Sequence, residues 1–521
     1  MTLPLPFSTN TLYSIADIRS VEQEAHSTLT SGSLMRAAGQ AAAVFARNLV
    51  PSGSTEILVL AGPGNNGGDA LEMAYLFAAA GDRVSVIIAE GIQHYSAEAK
   101  ESLLKAQSSQ AHFFGLDYLQ KTPGKQWTLI IDGLFGIGLT RPVKGKMFQL
   151  IEHINRYTAL SGVPVVALDV PSGLNADTGQ VVGAEGIAIR ASHTITFIAN
   201  KPGLHTAAGR DYAGQVKVAD LAIASRLFPA PVAVLSNAAA LLASSNPRLN
   251  NSHKGSYGDV FVIGGQEGMA GAPILSARAA LHGGAGRVFA GFLSMPPAFD
   301  SRHPELMCRR AQDVHFIDTT IVVGPGLGTS EPAKALLIDS LKRSESLVID
   351  ADALNLIASD TSLQKLVNQR SHIKDPAGKA LRTIMTPHPL EAARLLETST
   401  DTIQADRLRS ARALSDKFNA TIVLKGSGSI IATPDETLII NTSGNPALAT
   451  AGTGDVLAGL CGALLGHGMA AHEAANIAVW LHGKAADQWV ARGRGPIGMT
   501  ASELIPAIRD CINHYSKHPE R

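Results

Sequence analysis

"AGTGDVLAGL" occupies residues 451–460. A Gly-Thr-Gly loop enters an aspartate, and the aspartate enters an apolar helix. The first turn of a helix carries unpaired N–H groups and partial positive charge. That makes it a site for phosphate. Asp455 has two readings there. It caps the helix, worth about 1 kcal/mol to the fold, or it is a base held beside a bound phosphoryl group. In the second reading the N–H groups at 452–454 stabilise developing negative charge. A well-placed base contributes about 10²–10⁴-fold in rate.

Three other stretches bear on that choice. "VLKGSGS" (423–429) puts Lys425 and a flexible loop at a strand end, suited to a nucleotide phosphate. "TPHP" (386–389) puts His388 at another strand end, and "VVGPGLG" (322–328) makes a Gly-rich edge. Taken singly, Lys425 reads as a solvated surface lysine and His388 as a buried, satisfied histidine. Taken together with Asp455 they favour a phosphoryl site. Phosphoryl transfer needs positioning plus charge neutralisation, usually with magnesium.

These motifs sit in a chain of short apolar runs alternating with amphipathic helical stretches, the pattern of parallel sheets with helices on both faces. In the first half the strand candidates are 56–62, 84–89, 128–132, 164–170 and 193–199; in the second they are 259–265, 320–326, 347–352, 383–389, 421–428 and 437–444. Nearly all end in Gly, Pro, Asp, Asn or His. Ligands of open α/β sheets bind outside the carboxyl ends of the strands. An opening helix starts near Ser14, with Asp17 placed for a capping box. The join falls near "RLFPAPVAVLSNA" (226–238), and no close internal repeat links the halves.

At 521 residues, with 45% apolar and 17% charged residues, the chain is an ordinary globular protein of two or three domains. Basic and acidic residues balance at 44 each, which argues against a general nucleic-acid or anionic-membrane surface. Three cysteines without metal-ligand spacing indicate a reducing compartment and no disulfide framework. "MTLPLPFSTN" has neither a basic nor an apolar signal region, and the apolar run 456–465 is too short to span a bilayer. A soluble cytoplasmic protein is expected.

The first half has its own glycine loop, "GPGNNGGDA" (62–70), after a strand and before a helix expected from about Asp69. Its spacing is neither GxGxxG nor a P-loop. The plain reading is a tight turn whose Asn and Gly supply positive φ angles. "IDGLFGIGLTRP" (131–142) and "LDVPSGLNADTG" (168–179) set Asp132, Asp169 and Ser172 at two further strand ends. Each carboxylate alone is a cap or turn residue. Three oxygen-rich strand ends in one sheet suit a hard cation rather than zinc.

The motifs "GPGNNGGD", "IDGLFGIGLTRPV" and "LDVPSGLNADTG" resemble those of the NAD(P)H-hydrate epimerase family over roughly residues 10–220. That resemblance implies substrate contacts at Asn65, Asn66, Gly67, Gly68 and Asp69, and at Gly136, Ile137, Gly138, Leu139, Thr140, Arg141 and Pro142, together with Asp169. It implies a potassium ion on Asn66, Asp132 and Ser172. The implied reaction interconverts R and S forms of NADH or NADPH hydrated at C6. Asp169 is taken as the acid/base group, since inversion at that carbon needs proton handling.

The second half resembles the ribokinase-like superfamily. More narrowly, "HKGSYGDVFVIGG" (253–265), "GMAGAPILSARAALHGGAGRV" (268–288) and "NPALATAGTGDVLAGL" (445–460) resemble the ADP-dependent NAD(P)H-hydrate dehydratase family, over roughly 235–510. Implied substrate contacts are Ala272, Gly326, His388 and Asp455. Implied ADP contacts are Lys425, Gly426, Ser427, Gly428, Ser429 and Gly454. The implied chemistry transfers phosphate to the ring hydroxyl and then eliminates it, returning NAD(P)H. Ala70, Leu390 and the 266–270 segment depart from the family pattern.

The expectation is therefore two three-layer α/β domains, a Rossmann-like epimerase over 1–225 and a ribokinase-like dehydratase over 232–521. The chain resembles the bifunctional NAD(P)H-hydrate repair family, with ADP as co-substrate, potassium and magnesium as ions, no nucleic-acid or membrane partner, and assembly as a homo-oligomer. Two rivals remain at this stage. One is a ribokinase-like small-molecule kinase with a regulatory first half. The other is a nucleotide-sensing scaffold that has lost the chemistry.

Overall fold

Apolar runs such as "EILVLA" and "LIIDG" are buried on both faces, with Ile57, Leu58, Val59 and Leu60 fully inaccessible, as parallel strands between helix layers require. The computed structural model describes residues 9–27, 32–50, 55–89, 95–122, 124–244, 248–375, 378 and 380–516. Residues 1–8, where most of the expected non-signal amino terminus falls, lie outside that set. The chain forms two compact units, Met1–Val234 and Leu235–Arg521.

In the first unit the strands are β1 (Thr11–Leu12), β2 (Glu56–Ala61), β3 (Arg83–Ile88), β4 (His112–Phe114), β5 (Leu129–Gly133), β6 (Val165–Leu168), β7 (His193–Phe197) and β8 (Gln215–Ala219). The parallel sheet runs β4-β3-β2-β5-β6-β7-β8. From β2 the chain steps outward through β3 and β4, then returns to the other side of β2 as β5. The topological switch point, where open α/β sheets bind ligands, is thus between β2 and β5. The short β1 pairs antiparallel with β9 (Ala233–Leu235) through Thr11↔Val234 and Leu12↔Ala233. The opening helix Ile15–His26 has the expected Ser14–Asp17 capping box and buries Ile18, Val21 and Ala25.

The second unit contains β10 (Asp259–Gly264), β11 (Arg287–Phe292), β12 (Met307–Arg310), β13 (Thr319–Val323), β14 (Ser346–Ile349), β15 (Arg382–Met385), β16 (Thr421–Leu424), β17 (Ile430–Ala432) and β18 (Leu438–Ile440). They lie in the order β18-β17-β16-β15-β14-β13-β10-β11-β12. Here the switch point is between β10 and β13. Not every strand is parallel: β16, β17 and β18 form an antiparallel meander. The short loops joining them leave no room for crossover helices.

The strand list from sequence is incomplete. It omits β1, β4, β8, β9, β11, β12 and β17. The edge strand β8 carries exposed Gln215 and Lys217 and lacks an apolar run. Strand β11 begins at exposed Arg287 and contains Gly291, directly after a glycine-rich turn. The helix after the first glycine loop is also longer than expected. It spans Asn65–Ala79, so Asn65–Gly68 form its first turn and Asp69 is not its start. No helix among the described residues is long and apolar enough to cross a membrane. All three cysteines are free.

Helix Thr453–Gly466 packs against helix Gly271–His282 with no space for a side chain at the crossing. A Cβ on Gly459 would stand 1.9 Å from the Ser276 carbonyl oxygen. Gly459→Ala is therefore expected to force the helices apart and cost about 1–3 kcal/mol, as overpacking does. A lowered urea midpoint with an unchanged m-value would show it.

Candidate active sites

In the first unit, glycine serves close approach rather than unusual torsions. Gly62, Gly64, Gly67 and Gly68 are absent from the positive-φ residues, which removes the turn reading of this loop. Instead a Cβ on Gly62 would lie 1.7 Å from the Leu134 carbonyl oxygen, and one on Gly67 1.9 Å from that of Gly62. The helix N-terminus is thereby drawn down onto the ends of β2 and β5. Gly64 caps that helix with no side-chain hydrogen bond, leaving first-turn N–H groups available. Ala70, the departure from the family pattern, is fully buried, and its Cβ occupies space beside Gly133, where a second Cβ would come within 2.5 Å.

A cleft of about 550 Å³ opens at this switch point. Asn65, Asn66, Asp69, Gly136, Ile137, Gly138, Leu139, Thr140, Arg141 and Asp169 all line it. Gly67, Gly68, Pro142, Asp132 and Ser172 do not; all of these but Pro142 are buried. Arg19, Glu22 and His26 from the opening helix, together with Glu98, complete the charged lining. No motif had marked them.

Asp132 and Ser172 are fully buried together. Asp132 Oδ1 accepts the Ser172 hydroxyl at 2.6 Å and Oδ2 accepts the Ser172 amide at 2.8 Å. Burial pushes the Asp132 carboxyl up to about 6, against the hydrogen bonds from Ser172 and Leu134. Asn66 is buried, yet neither its Oδ1 nor its Nδ2 has a hydrogen-bond partner. Buried polar atoms are almost always satisfied, so an orphaned pair marks a ligand position. One orphaned amide oxygen and a dry set of carboxylate, hydroxyl and carbonyl oxygens fit an alkali cation. Among the described residues no group of three or more His, Cys, Asp or Glu is arranged for a metal ion.

Asp169 departs from regular backbone at φ +64°, and the neighbouring cleft residue Ile198 at φ +68°. A β-branched residue there is strained, of order 1–3 kcal/mol. Asp169 Oδ1 accepts from Lys201 Nζ at 2.7 Å, the Phe197 amide at 3.2 Å and the Thr196 hydroxyl at 3.3 Å. The Asp69 carboxyl is pushed well above the usual range by burial, and further by Asp169, Glu22, Glu72 and Glu98.

The second unit assembles its charges from four strand ends. The Lys425 ammonium, at the end of β16, contacts Asp350 Oδ1 at 2.8 Å and Glu391 Oε2 at 3.9 Å. It is no solvated surface lysine. Burial opposes its charge, but Asp350, Glu391 and Asp455 outweigh that and raise its pKa. Asp350, after β14, also accepts the Thr386 hydroxyl at 2.8 Å. A Cβ on Gly454 would lie 3.5 Å from Lys425 Nζ, so the ammonium faces the first turn of helix Thr453–Gly466. That helix is capped by Gly452 in the left-handed region, with no side-chain cap. Asp455 therefore does not cap it; the Thr453 amide reaches the Thr450 carbonyl at 3.5 Å, and the Gly454 and Asp455 amides face an anion position at the helix N-terminus. Arg407, fully buried, donates to the Leu424 and Lys425 carbonyls under the 425–429 loop, and burial lowers its pKa to about 10. Ser429 closes that loop by a hydrogen bond to the Gly426 carbonyl at 3.0 Å. Ser427 and Gly428 lie on the same loop.

His388 is half-buried rather than sealed in the core. Its Nδ1 caps helix Pro389–Leu395 by accepting from Leu390 and Glu391 amides, while Glu391 accepts the His388 amide at 2.7 Å. Leu390 is exposed in that cap and leaves it intact. Gly326, at φ +58°, lies against Ala272 and Met269, and the Gly328 amide is held by Asp352 at 2.8 Å. Gln266, in the divergent segment, fills the space a Gly328 side chain would need. Asp350, Glu391 and Arg407 were missed by sequence reasoning. "LVIDAD" ends a strand in Asp350 and carried a usable signal; nothing local marked the other two.

Burial, then Asp350, push the Asp455 carboxyl up to about 7 against the pull of Lys425. Burial likewise raises Glu391 to about 7. Unfolded carboxyls ionise near 4, so these two weigh against the fold increasingly as pH rises toward 7 and no further above it. Asp455→Asn is expected to raise the urea midpoint at pH 8, with the gain shrinking steadily toward pH 5.

A family model described as NAD(P)H-hydrate dehydratase matches residues 260–510, and one described as YjeF-related protein N-terminus matches 31–203. The chain is 36% identical over 518 residues to the bifunctional NAD(P)H-hydrate repair enzyme Nnr of Escherichia coli K12, covering 97% of this chain and 94% of that one. It is 36% identical to the Nnr enzyme of Coxiella burnetii, covering 96% and 99%. A crystal structure of the ADP/ATP-dependent NAD(P)H-hydrate dehydratase of Bacillus subtilis, co-crystallised with ATP and Mg2+, aligns with a TM-score of 0.45 at 27% identity, over 54% of this chain and 97% of that one.

Proposed function

The chain belongs to the family of bifunctional NAD(P)H-hydrate repair enzymes, and we propose that its residues 1–225 epimerise the hydrate while residues 232–521 dehydrate the S form with ADP, giving AMP and phosphate. The observation that carries the second activity is Asp455 beside an uncapped helix N-terminus, with the Lys425 ammonium facing the same turn. ADP lies along Lys425, Gly426, Ser427, Gly428 and Ser429 with its terminal phosphoryl group at Gly454. The hydrate lies by Ala272, Gly326 and His388, its ring hydroxyl at Asp455.

Asp455 takes the hydroxyl proton as the phosphoryl group moves to that oxygen. Lys425 and the first-turn N–H groups meet the charge that builds on phosphate. The C6–O bond then breaks, phosphate leaves with the electron pair, and loss of the C5 proton restores the ring double bond. Asp350 and Glu391 would hold a magnesium ion, which would supply charge neutralisation at the phosphoryl group.

In the epimerase half, the hydroxyl-bearing carbon is bonded to the ring nitrogen. The nitrogen lone pair expels the hydroxyl as water, and water returns to the other face. Asp69, whose carboxyl burial favours in the protonated form, would protonate the departing oxygen, and Asp169 would accept a proton from the returning water; both line the cleft. Arg19 and Arg141 face the cleft and suit the dinucleotide phosphates. Potassium fits at Asn66, Asp132 and Ser172, and supplies a fixed positive charge at the cleft wall when bound. Exposed Val44, Leu104 and Leu160 on helix surfaces support a homo-oligomer as part of this reading.

An R and S mixture of NADPH hydrate, incubated with ADP, magnesium and potassium, is expected to return nearly all of the reduced-cofactor absorbance. Asp455→Asn returns none, and Asp169→Asn returns the S portion quickly and the R portion only at the spontaneous rate. A phosphorylated product that persists would mark a small-molecule kinase instead. Dehydration kcat/KM is expected to fall about tenfold per pH unit below 7, since Asp455 must be ionised to accept the proton.

A further inference from the structure

Lys201 is a buried lysine that no motif marks and that does not line the cleft. Its ammonium donates to Asp169 Oδ1 at 2.7 Å, the Thr196 hydroxyl at 2.6 Å, and the Phe197 and Ala199 carbonyls at 3.1 and 3.2 Å. Four acceptors around one fully buried ammonium make a built socket. The turn that carries it is itself braced. Asn200 Oδ1 accepts the Lys201 amide at 2.9 Å and contacts His205 Nε2 at 2.8 Å. Burial lowers the His205 pKa to about 4, so that ring is neutral.

The hydrogen bonds on Asp169 are one-sided. Lys201, Thr196 and the Phe197 amide all converge on Oδ1. Oδ2 accepts none among the described residues. It lies 3.7 Å from where a Gly136 side chain would begin, on the glycine loop that lines the cleft. We infer that Lys201 is the positioning residue of the epimerase half: it ties Oδ1 of Asp169 to the cleft floor and leaves Oδ2 as the oxygen that handles the proton. This rests on the reading of Asp169 as the epimerase acid/base group.

The inference follows from what the cleft otherwise contains. The cleft that holds Asp169 also carries Glu22 and His26 on the opening helix, Asp69 on helix Asn65–Ala79 and Glu98 on helix Ala97–Gln107, with Arg19 and Arg141 also facing it. Among the described residues Lys201 is the cation bonded to Asp169. A carboxylate with one oxygen saturated has a single direction for proton transfer, which an inversion at one carbon needs.

The test uses the full chain and measures R-to-S conversion with dehydration kept in excess. Lys201→Met keeps the length of the side chain and removes the charge. Its kcat is expected to fall about 100-fold at pH 7, with KM within about twofold. The acid limb of its kcat/KM profile moves up by roughly one pH unit or more, because the charge on Asp169 is no longer compensated. Activity therefore recovers in part at high pH, which a purely structural lesion does not produce. A folded Lys201→Met protein, by circular dichroism, whose acid limb coincides with the parent's would overturn the inference. Should this variant not fold, Thr196→Val decides. It removes one donor to Oδ1 and one anchor of the ammonium, and an upward limb shift supports the proposal while an unmoved limb sinks it. Asp169→Asn, run alongside, separates the two levels: full epimerase activity there defeats the acid/base reading itself, whatever Lys201 does.

Discussion

A Cβ at Gly67 would stand 1.9 Å from the Gly62 carbonyl oxygen, and one at Gly324 1.7 Å from that of Asp350. These are backbone-to-backbone approaches that only glycine permits. Each lies at the carboxyl end of a parallel strand, next to a switch point of its sheet. The helix or loop that follows is pressed onto its neighbour, and its free amide groups and short polar side chains end up facing one cleft. Both sites are consequences of that compression. Without it the strand-end carboxylates would be separate caps and turns.

The two units then use a buried lysine on an aspartate in opposite ways. In the first, Lys201 binds one oxygen of the cleft carboxylate Asp169. In the second, Lys425 binds Asp350, which is sealed, while Asp455 lies nearby and stays half-protonated near neutrality. The ammonium in one case lies against the cleft carboxylate and in the other faces the first turn of helix Thr453–Gly466. Geometry differs little between the pairs, at 2.7 and 2.8 Å. What differs is the carboxylate: Asp169 lines a cleft, whereas Asp350 is buried.

Much of this was legible in the sequence. Buried parallel strands read clearly because both faces are apolar, and their ends read clearly because Gly, Asp and His interrupt the apolar run. Strands with one polar face, such as β8, or an internal glycine, such as β11, lacked that contrast. The glycine loops were visible, but their cause was not: a positive φ and a close approach demand the same residue, and only the packing tells them apart. Charge partners were the hardest to see. Lys201 is 32 residues from Asp169, and Lys425 is 75 from Asp350. Sheet order brings them together, and no local spacing encodes it. Arg407 lies in a helix of ordinary amphipathic pattern, where a buried guanidinium looks like any exposed one.

The order of the segments along the chain has a consequence for how the protein is made. Every residue that lines the first cleft lies at or before Leu221, and β9, which pairs with β1, ends at Leu235. Domains generally close in the order in which they leave the ribosome, so this cleft can be complete while more than half of the chain is still unsynthesised. The second site has no such head start. Its helix N-terminus at Gly452 rests against Ala501, whose helix runs on to Tyr515, at the far end of the described chain. During each round of translation the interconverting activity is thus available before the activity that consumes its product.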